Sequence, residues 1–160
     1  MSELSRWQLV DLLNRKGKLW LVGYDLSSAD LMRVDLSGAD LEGANLTGAN
    51  LARANLEGAN LEGAIMVNVK LGGANLIRAN LYGANLTRAS LVGAKMDGVN
   101  LGRAVLADAN LSKANLYGAN LRSADLSSAN LAEAIILGAT MPDGAIGRQT
   151  MLQKKQEKSE

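Results

Sequence analysis

Hydrophobic residues return every five positions. Leucine occupies 26, 31, 36, 41, 46, 51, 56 and 61, and the spacing continues to Met141. Of the 24 such positions from 26 to 141, 20 are Leu; the others are Met66, Met96, Ile136 and Met141. The residue two before each is Ala in 20 of the 24 cases, the exceptions being Tyr24, Val34, Val69 and Val99. A five-residue step turns an α-helix by about 500°, or 140° past a full turn, which scatters the leucines over every face. A continuous strand fails as well, because five is odd and side chains alternate. The pattern works only if the chain turns a corner in every repeat. Ala and Leu, two apart, then point the same way from a short extended piece. Gly stands two after the central residue at 11 places, including Gly38, Gly83 and Gly118, as a corner favours. The expected fold is an all-β solenoid whose coils hydrogen-bond about 4.8 Å apart. Corner glycines pair six times at a spacing of 20 and four times at 15, so the spacing alone leaves open whether four corners or three close a coil.

The unit Ala-(Asp/Asn)-Leu-x-x, as in Ala44-Asn45-Leu46-Thr47-Gly48 and Ala119-Asn120-Leu121-Arg122-Ser123, resembles the pentapeptide-repeat family from about Tyr24 to Met141. That resemblance implies a right-handed, four-sided β-helix with 20 residues per coil, here a rod of six coils roughly 29 Å long. Met141-Pro142-Asp143-Gly144 is similar to an ending common in bacterial, especially cyanobacterial, members. Open solenoid ends need covers. Residues 1–18 are expected to form an N-terminal capping helix, with Ser2 as N-cap and Leu4, Trp7, Val10 and Leu13 at helical spacing. The β-helix is expected over 19–144, with Ile146 folded over the last coil and 145–160 as a mobile tail. An open C-terminal end favours end-to-end homodimerisation.

Composition narrows the chemistry. The chain has no Cys and no His, so it has no disulfide, no Cys/His metal centre and no His-based triad. Inward positions are apolar, so no catalytic residue, cofactor or metal ligand is expected. Stacked asparagines before the leucines are read as a hydrogen-bonding ladder. No apolar run approaches the roughly 18 residues of a membrane span, and no signal-peptide core is seen, so a cytoplasmic location is expected.

Charge is uneven. Residues 25–62 hold seven acids and two arginines, net −5, and residues 70–133 hold seven basic residues and four acids, net +3. Some pentapeptide-repeat proteins act on DNA gyrase as mimics of duplex DNA, which carries one charge per about 1.7 Å. A 29 Å mimic would want roughly 17 negative charges; this chain has net charge +1 and no Phe, whereas those gyrase-binding members tend to carry Phe at the central position. No continuous basic stripe points to direct nucleic-acid binding. Apolar residues interrupt the polar outer positions. At 20 residues per coil, Ile77, Tyr117 and Leu137 share a column with Ile135 beside the last, and Ile65, Val67 and Val105 form a second set. The first group is the candidate interaction surface. The resulting expectation is a non-enzymatic scaffold or adaptor for an unknown protein partner, with topoisomerase modulation as the alternative.

Overall fold

A computed structural model describes residues 17–148. The expected capping helix therefore lies outside the described residues, apart from Gly17 and Lys18, as does the tail from 149. The rest settles the open question of coil size. Parallel bridges join each pre-leucine residue to the one 20 later, from Trp20–Asp40 through to Asn120–Thr140. Each coil has four sides. Face 1 is centred on Leu41, Leu61, Leu81, Leu101 and Leu121; face 2 on Leu46 to Leu126; face 3 on Leu51 to Leu131; face 4 on Leu56 to Ile136, each stepping by 20.

One repeat shows how the backbone is satisfied. The Leu81 N–H donates to the Asn100 carbonyl at 2.7 Å, and the Gly83 N–H to the Gly102 carbonyl at 2.9 Å, both in the next coil. The Asn80 N–H donates to the Ala59 carbonyl in the previous coil at 2.9 Å. The Ala84 N–H closes the corner on the Leu81 carbonyl at 3.1 Å. The fifth donor, Tyr82 N–H, reaches the Oδ1 of Asn80 at 3.3 Å. Every donor of the repeat is accounted for, as a structure with little conventional secondary structure requires.

An asparagine two residues before a corner, such as Asn80, thus has two jobs. Its oxygen caps a backbone N–H that has no neighbour in the adjacent coil. Its Nδ2 donates to the corresponding oxygen one coil back, as in Asn80 to Asn60 at 3.2 Å and Asn100 to Asn80 at 2.9 Å. The first four rungs, Asp25, Asp30, Asp35 and Asp40, are aspartates that accept from Asn45, Asn50, Asn55 and Asn60. A ladder whose amides all point toward the N-terminus needs only an acceptor at its start, and Asp supplies one without a stranded donor.

The corner itself sits in the left-handed region. All positions two after the central residue, from Gly23 to Gly138, have positive φ, and half of them, such as Arg53 and Lys113, are not glycine. Inside, the Leu and Ala columns are buried, and the described residues bury no polar side chain. Val69 and Val99 replace Ala yet are fully buried. Each follows a methionine, Met66 and Met96, in place of leucine, and an unbranched flexible side chain accommodates the larger neighbour.

Packing loosens toward the C-terminus. Leu126, Ala129, Leu131 and Met141 are only partly buried. The backbone N–H groups of Leu126, Leu131 and Ile136 find no partner among the described residues. Part of this edge is covered. After Pro142-Asp143-Gly144 the chain turns back, Ile146 bridges Thr140 in antiparallel fashion, and Gly138 N–H donates to the Gly147 carbonyl at 2.8 Å. The first residues beyond 144 are therefore paired with the last coil, while the Ile146 side chain is 55% exposed and does not seal it. Gly147 is required here: a Cβ would run into the Ile136 carbonyl oxygen.

Candidate interaction surface

Each repeat presents three outward positions, and the backbone constrains two of them. The position before the leucine is held by the ladder, and the second corner residue must accept positive φ. The first corner residue answers to neither demand, because its N–H is already capped by the asparagine side chain. Large and chemically varied side chains collect there: Glu42, Glu62, Tyr82 and Arg122 on face 1; Glu57, Ile77, Asp97, Tyr117 and Leu137 on face 4.

On face 4, Tyr117 and Leu137 lie on adjacent coils, joined by the Gly118 N–H to Leu137 carbonyl bond at 3.0 Å. They are 55% and 48% exposed. Ile135 lies beside Leu137, bridges Asn115 and is itself exposed. The structure brings these three together. It does not bring Ile77 to them: Asp97 stands on the rung between Ile77 and Tyr117, and Ile77 is half-buried. In the second apolar set, Ile65 is exposed, but Asn85 separates it from Val105 in the same column.

Ile135 is the informative member of the group. At its position the repeat asks for an oxygen to cap the N–H two residues on, as Asn115 does for Tyr117 at 3.1 Å. Isoleucine has none, as is also true of Ile65 and Val105 at the same position of face 2; what sets Ile135 apart is that it lies beside Leu137 and across from the Tyr117 repeat.

The acids of the first coils are tied into the ladder. The Ser27 N–H holds the Asp25 carboxyl below the usual carboxylate range, and the Ser37 hydroxyl does the same for Asp35. At the other end, the Ser127 hydroxyl lowers Asp125. Their oxygens serve corners rather than converging on a ligand. No group of three acidic side chains placed to hold a metal occurs among the described residues, and no helix there is long and apolar enough to cross a membrane. The caps by Asn oxygens, and the glutamates that draw on the same amides (Glu57 from Asn75 at 3.2 Å), do not follow from the repeat pattern alone. The recurrence of Asn or Asp two before the corner was the available signal.

Comparison with known proteins agrees with this geometry. The pentapeptide repeats family matches residues 29–66, 64–103 and 100–136. No curated protein matches the chain. Among solved structures, the chain is similar to the pentapeptide repeat protein Rfr23 from the cyanobacterium Cyanothece 51142, at 27% identity and TM-score 0.51, over 76% of this chain and 90% of that one. It is 38% identical to HetL, a pentapeptide repeat protein involved in heterocyst differentiation regulation from Nostoc sp. strain PCC 7120, over 82% of this chain and 73% of that one, with TM-score 0.32. A trypsin-treated form of QnrB1, a plasmid-mediated fluoroquinolone resistance protein, shares the fold at 20% identity and TM-score 0.56, over 79% and 76% of the two chains. The described residues form a right-handed β-helical solenoid, and the chain belongs to the pentapeptide-repeat family.

Proposed function

We propose that the protein is a non-enzymatic, cytoplasmic scaffold that binds a protein partner through the C-terminal part of face 4. The observation that carries this reading is the contiguous apolar group of Tyr117, Ile135 and Leu137, in which Ile135 stands where the repeat itself calls for a capping oxygen. An apolar patch without a structural role in its own chain is a contact for another.

The face 4 reading is tested by affinity capture from the native host's lysate, with wild type beside Ile135→Asp/Leu137→Asp. A partner captured by wild type and lost by the variant supports the reading. A partner retained equally by both removes face 4 from it. The alternative, a DNA-mimic modulator of gyrase, is favoured by the fold shared with QnrB1 and by the acidic first coils. Its test is a supercoiling assay with and without a quinolone. Arg78, Arg88, Arg103 and Arg122 make the coils that follow basic rather than acidic and weigh against it.

A further inference from the structure

Face 1 has a charge pattern that the other three lack. Its first-corner column runs Glu42, Glu62, Tyr82, Gly102 and Arg122, with Arg103 next to Gly102. The same column carries no charged residue on face 2 or face 3, and on face 4 its only charges are acidic. The two glutamates and two arginines are exposed, and among the described residues none of them enters an ion pair. The glutamates are instead held against the surface by amides: Asn60 Nδ2 donates to Glu42 at 3.4 Å and Asn80 Nδ2 to Glu62 at 3.0 Å.

The middle rung is flat. Tyr82 lays its ring over the next coil, where Gly102 is buried beneath it; a Cβ on Gly102 would come within 3.0 Å of the ring. The Arg103 guanidinium lies 5.8 Å from the ring centroid. The centre of the face is thus a low aromatic platform with two acidic rungs before it and two basic rungs after it.

These positions are symmetric about Tyr82. Coils are 20 residues apart, so Glu62 and Arg103 lie one coil either side of the ring, and Glu42 and Arg122 lie two. A two-fold axis running along the strand direction through the Tyr82 rung reverses the rod and keeps each column opposite itself. Glu42 then faces Arg122 of the second copy, Tyr82 faces Tyr82, and Glu62 faces Gly102, with Arg103 one position along the strand beside it. In the neighbouring column Asn60 faces Asn100 and Asn80 faces Asn80, while Asp40 faces Asn120. No like charges oppose each other. The parallel arrangement would stack glutamate on glutamate.

We propose that face 1 is a self-complementary surface through which two copies of the chain associate side by side and antiparallel. The contact is isologous, as a two-fold requires. It spans about four coils, roughly 19 Å. One narrow face falls short of the ~800 Å² per partner of tight complexes, so the pair is weak and governed by charge. It does not depend on the face 4 reading, which concerns a different side of the rod.

The test uses the full chain in sedimentation velocity and in cysteine cross-linking, which the absence of native cysteine makes clean. Wild type should self-associate at about 50 mM salt and dissociate by about 500 mM, where the Debye length is only a few ångströms. Glu42→Arg/Glu62→Arg and Arg103→Glu/Arg122→Glu should each associate about tenfold more weakly or not at all, and an equimolar mixture of the two should regain the dimer. Tyr82→Cys should cross-link to itself faster than Val92→Cys, which is exposed on the opposite face. If Tyr82→Cys packs poorly, Glu42→Cys mixed with Arg122→Cys reports the same register. Absence of association at low salt, dimers that survive both charge variants, or equal cross-linking by Tyr82→Cys and Val92→Cys would overturn the proposal.

Discussion

Leu81 and Leu131 hold the same place in the repeat, yet their surroundings differ. Leu81 has complete coils on both sides, is fully buried, and its N–H is bonded to the next coil. Among the described residues Leu131 has a coil on one side only and its N–H has no partner there, and its side chain is only partly buried. The difference teaches that a coil is not stable by itself. Its leucines are buried by neighbouring coils, and most of its backbone donors are satisfied by them, as in other repeat architectures.

The largest effect should come from cutting a side chain out of the middle. Leu81→Ala should cost about 2–5 kcal/mol by denaturant unfolding, because neighbouring coils cannot close the cavity. Leu131→Ala should cost less, about 1–2 kcal/mol, since less area is lost from an already open site. Equal costs would break the comparison. Overfilling comes next: Ala84→Leu should destabilise by about 1–3 kcal/mol, because its fully buried position leaves no room for the added carbons.

A ladder change is smaller. Asn75 caps the Ile77 N–H at 3.2 Å and donates to Asn55 at 3.0 Å. Asn75→Ala should cost about 1 kcal/mol through the stranded donor. The smallest effect concerns acid. Asp35 titrates below the usual range because Ser37 donates to its charged form. A lowered folded-state value gives stability that is complete above the ordinary carboxylate range and fades as pH falls through the folded value. Asp35→Asn keeps the oxygen and loses the titration. Its stability should therefore fall less than wild type between about pH 5 and pH 3, measured by thermal melting.

Much of the fold is legible in the sequence, because it repeats. The Leu and Ala columns, the outward polar positions and the corner glycines follow from a period of five and the geometry of extended chain. Coil size does not follow from the spacing, because three or four corners place the same side chains inside; the family resemblance and then the 20-residue bridges decide it. The non-glycine corners at Arg53 and Lys113 are invisible to a rule that assigns positive φ to glycine. Neither does the periodicity show that the asparagine oxygen is spent on its own corner. For the candidate surface, the sequence placed Ile77 with Tyr117 and Leu137 by column alone. Asp97, in that same column, is what separates them. The group that remains is Tyr117, Ile135 and Leu137.

The claim that each coil depends on both neighbours is most directly tested by amide hydrogen exchange resolved along one face. Protection should be high at Leu71, Leu91 and Leu111 and fall sharply at Leu131. Uniform protection from Leu71 to Leu131, or the strongest protection at Leu131, would contradict it.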